Sequence, residues 1–269
     1  LVIDIKERFK LNHIFSTYSP EFIFHAAAHK HVPLMEQNVI EAVDNNIKGT
    51  KHLIDLSIKN NITKFIFVST DKAVRPTSCM GASKRVCEIL LQMNSKQSKT
   101  IFSAVRFGNV LGSQGSVIPI FKEQIAKGGP VTVTHPDMKR YFMTISEAVS
   151  LILQTSLLSE GGEIFILDMG TPVKISDLVK DMIRLSGYSE NDIKIHFTGL
   201  RPGEKLFEEL YFDKNFLKQT SYEKIFVTKP NDFNLSSISD SINNLLNLSS
   251  DLKNHSLVKE QLFTICKQA

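Results

Sequence analysis

The stretch Lys64-Phe-Ile-Phe-Val-Ser-Thr-Asp-Lys72 decides the fold. It opens with a short run of β-branched and aromatic residues, which predicts a buried parallel strand. Open α/β sheets hold ligands at the carboxyl ends of their strands, and this run ends in two hydroxyls, a carboxyl and an amine. The segment Met80-Gly-Ala-Ser-Lys84 then opens a predicted helix and adds a second amine. Such groups are suited to moving protons beside a redox cofactor.

Strand-like and helical runs alternate on both sides of this stretch. Strands are predicted at residues 1–4, 21–25, 64–69 and 102–106, and helices at 38–59 and 81–93. This alternation predicts an α/β fold with a doubly wound parallel sheet. We assign residues 1–108 to a partial Rossmann-like domain that would bind the cofactor.

The pattern loosens after Gly108. Strands are predicted at residues 131–134, 163–167 and 193–197, and helices at 117–126, 146–158 and 175–185. This part, residues 109–230, is interpreted mainly as a smaller substrate lobe on the C-terminal side. Residues 231–269 are polar and are predicted to form a helical tail of unknown role.

Composition excludes several classes of protein. The 269 residues are 42% hydrophobic, enough for a core, and the net charge of +4 is mild and not clustered, so nucleic-acid binding is not expected. No apolar stretch approaches the ~20 residues that span a bilayer, and no signal peptide is expected. The three cysteines have unrelated spacings, which argues against disulfides and a metal site and favours the cytoplasm.

One expected motif is missing from the chain. It contains no Gly-x-Gly-x-x-Gly turn, and the acidic residue expected ~20 residues after that turn is missing too. The first residue is Leu1 rather than Met. We therefore expect an N-terminally truncated domain, whose first two strands, their helices and the start of the third strand lie upstream of Leu1.

Several segments together carry a family resemblance. They are residues 24–36, 46–50, 68–76, 106–119, 135–143 and 201–206, which include Phe24-His-Ala-Ala-Ala-His-Lys-His31, Arg106-Phe-Gly-Asn-Val-Leu-Gly112 and Arg201-Pro-Gly-Glu-Lys-Leu206. On these segments the chain resembles the nucleotide-sugar 4,6-dehydratases of polysaccharide biosynthesis, which are extended short-chain dehydrogenase/reductases. It most resembles the capsule and O-antigen type that acts on UDP-N-acetylglucosamine.

The resemblance implies NAD as the cofactor. The cofactor-binding residues that it implies are Asp4, Ile5, Ala26, Ala27, Ala28, Lys30, Asn46, Ser69 and Lys84. The small side chains at 26–28 would let a dinucleotide approach the backbone. Asn46 lies in a predicted helix and would orient a water or a backbone carbonyl near the site.

The resemblance also implies a UDP-sugar substrate. The implied substrate-binding residues are His31, Asn109, Ser113, Ser116, Val117, Arg140, Arg201 and Glu204. Glycines and hydroxyls at 112–116 precede a predicted helix, whose N-terminus favours phosphate oxygens. Arg140 and Arg201 carry forked donors suited to a diphosphate, and Glu204 is suited to accept a hydrogen bond from a ribose hydroxyl.

The implied catalytic residues are Thr70, Asp71, Lys72, Met80 and Lys84. Hydride would pass from C4 of the hexose to NAD and later return to C6. Lys72 would remove the C5 proton, and Asp71 would protonate the departing 6-hydroxyl. Met80 departs from the tyrosine of the wider superfamily, and a thioether has no proton to exchange. The base for the 4-hydroxyl therefore stays open among Thr70, Ser69, Asp71 and Lys84 acting through water.

Alternative interpretations also stay open. Within enzymes, the chain would be a UDP-sugar epimerase or a dehydratase that inverts C5, although an acid/base pair at C5 and C6 favours elimination. In a different class, it would be an inactive fragment that keeps only sugar-nucleotide binding, which the missing glycine turn favours. The resemblance further implies a homo-oligomer in the full-length protein. It implies a cytoplasmic location, free or as the cytoplasmic part of a membrane-anchored protein.

Overall fold

A computed structural model describes residues 1–228 and 235–268. Its strands are β1 (Phe22–His25), β2 (Lys64–Val68), β3 (Ile101–Arg106), β4 (Asn109–Val110), β5 (Val131–Val133), β6 (Lys139–Arg140), β7 (Phe142–Met143), β8 (Ile164–Leu167), β9 (Val173–Lys174), β10 (Ile195–Phe197), β11 (Leu217–Gln219) and β12 (Ile225–Thr228). Its α-helices are α1 (Arg8–Tyr18), α2 (Val32–Gln37), α3 (Val39–Glu41), α4 (Gly49–Lys59), α5 (Cys79–Ser95), α6 (Val117–Ala126), α7 (Ile145–Leu158), α8 (Ile175–Leu185), α9 (Leu235–Leu248) and α10 (His255–Gln268).

The main sheet has six strands in the order β1-β2-β3-β8-β12-β11. The pairs from β1 to β8 are parallel, and β12 and β11 are added antiparallel. Phe65, Ile66 and Phe67 are consecutive in β2 and all buried, so this strand shows no apolar–polar alternation. A strand covered on both faces has this pattern, and the prediction of a buried parallel strand is confirmed.

Helix α5 packs beside β3 and carries the Met80 and Lys84 side chains. It begins at a cap, where Ser78 Oγ accepts a hydrogen bond from the Gly81 N–H at 3.1 Å. An N-cap hydroxyl satisfies a backbone donor that the first helical turn leaves free. The helix start, and with it the direction of both site side chains, is therefore set by local sequence.

The tail packs on the sheet domain rather than standing apart. The buried apolar residues of α9 and α10 belong to the same core as α5; they are Ile238, Ile242, Leu245, Val258, Leu262 and Ile265. Lys259 of α10 also pairs with Glu36 at 2.8 Å, and Glu36 Oε1 accepts from the Cys79 N–H at the start of α5. Residues 231–234 and 269 of the predicted tail lie outside the described residues.

A second, smaller core lies beyond the carboxyl ends of the strands. It is built from α6, α8 and the parallel pair β5–β10, with Phe121, Val131 and Val179 buried in it. The predicted bounds of α6 and α8 are confirmed. Strand β8 is apolar throughout and pairs with β3, so the chain returns from this lobe to the main sheet.

Two predictions of local structure are wrong. Residues 1–4 do not form a strand; the Asp4 carbonyl accepts a hydrogen bond from the Glu7 N–H in a turn before α1. A strand needs a neighbour for its backbone groups, and among the described strands none pairs with residues 1–4. The predicted helix over 38–59 is interrupted by a π-helix at Ala42–Lys48, where Asn46 turns inward to bond with the loop after β1.

Candidate active site

An acid–amine pair follows β2 in a 3₁₀ turn, Asp71–Ala73. The Asp71 N–H donates to the Phe107 carbonyl at 3.1 Å, which holds the turn against the end of β3. Asp71 is fully buried, and its Oδ1 accepts from Lys72 Nζ at 2.9 Å and from Thr70 Oγ1 at 2.8 Å. One carboxylate oxygen thus receives both a hydroxyl and an amine, which is the geometry of a short proton relay.

A second carboxyl, Glu208, lies on the other side of Lys72. Its Oε1 is 3.9 Å from Lys72 Nζ and 3.8 Å from Arg140 Nη2. Burial raises the pKa of Glu208 above its ordinary value. Sequence reasoning missed this residue. The available signal was its position two residues after the Arg201–Leu206 motif, between the apolar Leu206 and Leu210 at alternate positions.

Lys84 reaches the same edge of the sheet from α5. Its Nζ donates to the Val68 carbonyl at 2.9 Å and lies 4.3 Å from the Phe67 ring centre. Burial lowers the pKa of Lys84 to about 8. His25, at the end of β1, has its pKa lowered to about 3 by burial and by the Lys84 charge. Lys84 is therefore a buried amine that gives up its proton more readily than an exposed lysine, one helical turn from Met80.

Ser69 belongs to a buried ionic network as well as to the site. Its hydroxyl donates to Glu88 Oε1 at 2.7 Å, and Arg106 contacts both oxygens of Glu88 at 2.7 and 2.6 Å. Burial alone would raise the pKa of Glu88, but Arg106 and Arg85 lower it below the ordinary value. This network holds the ends of β2 and β3 relative to α5.

Two adjoining clefts open at the carboxyl ends of the strands, with volumes of about 550 and 260 Å³. The larger cleft is lined by fifteen of the predicted residues: Ala26, Ala28, Lys30, His31, Ser69, Thr70, Lys72, Met80, Lys84, Asn109, Ser113, Ser116, Val117, Arg201 and Glu204. Lys72, Asn109, Val117, Arg201 and Glu204 line both clefts, and Arg140 and Glu208 line the smaller one. Lys72 therefore stands where the two clefts meet.

Two loops close over the larger cleft. Lys30 Nζ donates to Ser113 Oγ at 3.4 Å, which links the loop after β1 to the loop before α6. Gly115 lies against His31, where a Cβ would approach the ring to 2.4 Å. Ser116 Oγ, at the N-terminus of α6, is buried without a hydrogen-bond partner among the described residues. An unpartnered hydroxyl at a helix N-terminus is suited to an anionic oxygen.

Asn46 acts behind the cleft rather than in its wall. Its Oδ1 accepts from the His29 N–H at 2.8 Å, and its Nδ2 donates to the His29 carbonyl at 3.1 Å and to Ser83 Oγ at 2.9 Å. Asn46 thus holds the loop after β1, and its predicted role toward the cofactor stays a prediction. Ala27, next to the lining residues Ala26 and Ala28, does not line either cleft.

The two predicted phosphate-binding arginines differ. Arg140 is buried, and its guanidinium donates to the carbonyls of Lys139, Lys205 and Leu206 at 2.8, 2.7 and 3.1 Å. Three of its donors are thus engaged by backbone carbonyls, while Arg140 also lines the smaller cleft, and diphosphate binding by Arg140 stays a prediction. Arg201 is exposed and holds Glu204 Oε1 through Nη2 at 2.6 Å. Of the two, Arg201 is available to a ligand.

Asp4 and Ile5 are not brought to the site. Asp4 Oδ1 accepts from the Lys6 N–H at 2.8 Å, and Ile5 packs against Gly49 of α4. Neither residue lines the clefts. Among the described residues, no helix is long and apolar enough to cross a membrane, and no group of three or more acidic, cysteine or histidine side chains could hold a metal.

With this site in view, comparison with known proteins gives the family. The chain belongs to the polysaccharide biosynthesis protein family, which it matches over residues 1–230. It is 52% identical to the capsular polysaccharide biosynthesis protein CapD of Staphylococcus aureus, over 92% of this chain and 41% of that protein. It is 36% identical to a UDP-glucose 4-epimerase of Rickettsia rickettsii, over 73% of this chain and 58% of that protein. The chain thus spans less than two thirds of these relatives.

Solved structures share the fold of this chain. Pen from Bacillus thuringiensis matches with a TM-score of 0.78 and 34% identity, over 87% of this chain and 73% of that one. DesIV, a dTDP-glucose 4,6-dehydratase from Streptomyces venezuelae with NAD and DAU bound, shares the fold at a TM-score of 0.70 and 17% identity, over 90% of this chain and 77% of that one. These matches confirm the predicted α/β fold with its Rossmann-like parallel sheet.

Proposed function

We propose that this chain carries the acid/base site of an NAD-dependent dehydratase that converts a UDP-N-acetylhexosamine into its 4-keto-6-deoxy sugar for polysaccharide synthesis. UDP-N-acetylglucosamine is the proposed substrate. The observation that carries the proposal is the Lys72–Asp71–Thr70 cluster at the junction of two clefts. Removing a C5 proton and expelling a 6-hydroxyl needs a base and an acid side by side, and this cluster supplies both.

The proposed cofactor is NAD, which would take the hydride from C4 and return it to C6. The residues suited to its nicotinamide side are Ala26, Ala28, Ser69 and Lys84, which line one cleft. Lys84 is a buried amine whose donors point to the strand end, and the alanines leave the backbone open there. The NAD in DesIV supports this assignment through the shared fold.

The protons of the reaction are proposed to move through three side chains. Thr70 passes the proton of the 4-hydroxyl to Asp71, because its Oγ1 already donates to Asp71 Oδ1. Asp71 then delivers that proton to the departing 6-hydroxyl, which leaves as water. Lys72 takes the C5 proton and returns it to C5 when C6 is reduced. Each side chain ends the cycle in the state in which it began, and no proton from Met80 is required.

The UDP part is proposed to bind at the loop before α6 and at the rim of the smaller cleft. Ser116 offers its unpartnered hydroxyl at the helix N-terminus, and Arg201 offers a forked cation at the rim. Glu204 is held by Arg201 and lines both clefts, which suits it to accept from a ribose hydroxyl. His31, Ser113, Asn109 and Val117 complete the walls.

The test is to incubate the product of the complete reading frame with UDP-N-acetylglucosamine and NAD and to follow the sugar by NMR. A 4-keto-6-deoxy product, with solvent deuterium at C5 in D₂O, supports dehydration. Formation of a C4 epimer without a keto sugar would support an epimerase instead, the alternative that the Rickettsia relative favours. The configuration at C5 of the product distinguishes retention from inversion.

The proposal also covers the cellular location and the oligomeric state of the enzyme. We propose a cytoplasmic site of action, supported by three cysteines that are all free thiols. We also propose a homo-oligomer, by analogy with the family. Light scattering of the purified protein measures the oligomeric state, and a mass equal to one chain would exclude an oligomer.

A further inference from the structure

Glu208 is a buried carboxyl whose surroundings do not fully compensate a negative charge. Its side chain is only 3% exposed. Its Oε1 lies beyond hydrogen-bond distance of Lys72 Nζ (3.9 Å) and of Arg140 Nη2 (3.8 Å). Its Oε2 has no hydrogen-bond partner among the described residues. Ionised carboxyls that are this deeply buried are normally held by several direct donors.

The charged groups that face Glu208 come from three parts of the chain. Asp71 and Lys72 approach from the turn after β2, Arg140 from β6, and Lys205 from the same loop as Glu208. Arg140 donates hydrogen bonds to three backbone carbonyls, and Lys205 Nζ donates to the Val74 carbonyl at 2.8 Å. Lys72 Nζ donates to Asp71 Oδ1 at 2.9 Å and also lies 3.9 Å from Glu208 Oε1, so it is the amine placed to exchange a proton with Glu208.

The inference rests on the proposed dehydration, because that reaction needs an unprotonated Lys72. An amine removes a C5 proton only in its unprotonated form. Asp71 cannot hold the proton that leaves Lys72, because it must receive the proton of the 4-hydroxyl. A third group has to accept it.

We propose that Glu208 is the positioning residue that takes this proton and keeps Lys72 neutral. One Nζ–H bond breaks and one O–H bond forms on Glu208, so an ion pair becomes two neutral groups. A small rotation of the Lys72 side chain closes the 3.9 Å separation. Glu208 then keeps its proton while Lys72 takes and returns the proton of C5.

Glu208→Gln tests the inference, because an amide keeps the shape but cannot accept a proton. In the native enzyme the proton stays within the pair, so kcat should be flat around neutral pH. In Glu208→Gln the proton must leave to solvent, so kcat should fall at least tenfold at neutral pH and rise by about tenfold per pH unit. Glu208→Asp should restore part of the flat profile. The matched control is Glu209→Gln, an exposed neighbour paired with Arg75, which should behave as native.

Infrared difference spectra give a second readout that does not depend on activity. Native protein minus Glu208→Gln, without substrate at neutral pH, should show the carbonyl stretch of a protonated carboxyl, which native minus Glu209→Gln should lack. Absence of that band overturns the inference. So does a dependence of kcat on pH in Glu208→Gln that runs parallel to the native one. A protein that shows the band but makes no 4-keto sugar overturns the proposed function alone.

Discussion

Gly81 lies directly against the backbone carbonyl of Lys72: a Cβ built on Gly81 would be 2.2 Å from that oxygen. Only a residue without a side chain permits this approach between the first turn of α5 and the turn that carries the acid–amine pair. The contact sets the separation between Met80 and Lys84 on one side and Asp71 and Lys72 on the other. The two halves of the site are therefore held by backbone packing.

Replacing Asp71 by Asn should abolish dehydration and leave UDP binding nearly unchanged. The amide cannot carry the proton to the leaving group, and the expected loss in kcat is about 10²–10⁴-fold. NMR analysis of quenched reactions measures turnover, and calorimetry measures UDP binding. Asp240→Asn, on the exposed face of α9, is the control. Near-native turnover in Asp71→Asn would remove Asp71 from the mechanism.

Met80→Tyr should not raise kcat appreciably, and crowding by the larger ring should lower it. Met80 is buried in the cleft wall, so a larger ring has to displace its neighbours. The relay from Thr70 to Asp71 already serves the 4-hydroxyl in our proposal. Steady-state kinetics with UDP-N-acetylglucosamine are the measurement. A large increase in kcat would show that a phenol is missing from this site.

Arg201→Ala and Arg140→Ala should fail in different ways. Loss of the exposed Arg201 should weaken UDP-sugar binding by about 1.5–3 kcal/mol with little change in folding stability. Loss of the buried Arg140 leaves three backbone carbonyls without their donor, so it should lower the melting temperature first. Calorimetric titration and thermal denaturation separate the two effects. Equal loss of binding with unchanged stability in both variants would contradict this assignment.

Lys84 should make folding stability increase with pH in alkaline solution. Its pKa is about 8 in the folded chain, against about 10.4 in an unfolded one. Between these values the unfolded chain binds more protons, so the free energy of unfolding rises with pH. Urea denaturation at several pH values should show this rise relative to Lys84→Met, while Lys253→Met, at an exposed lysine, should keep it. Identical pH dependence in native protein and Lys84→Met would exclude the effect.

Residues 1–269 by themselves should bind NAD weakly and show no dehydratase activity. The cofactor diphosphate normally sits on a glycine-rich turn and a helix N-terminus, and this sequence has no such turn. The edge strand β1 also leaves Phe22 and Phe24 47% and 44% exposed, which favours aggregation. Calorimetric titration of the purified chain with NAD is the measurement. Tight, saturable binding would show that another loop holds the diphosphate.

Much of the site was predictable because strand ends and helix starts have local signals. The run from Lys64 and the Met80–Lys84 segment are adjacent in sequence, and parallel strands place their carboxyl ends at one edge. The error at residues 1–4 has the opposite cause. Their apolar pattern suits a strand, but a strand exists only where a partner supplies hydrogen bonds, and local sequence does not contain the partner.

The amino-acid sequence by itself determined the parallel α/β sheet, the start of α5 and the placement of Thr70, Asp71 and Lys72 at a strand end, because apolar periodicity and capping act over a few residues. Tertiary structure alone decided that Glu208, 136 positions after Lys72 in the numbering, lies beside it. It also decided that the Arg140 fork faces backbone carbonyls and that α10 covers α5. These relations depend on burial and on groups far apart in the chain, whose energies exist only once the chain has folded.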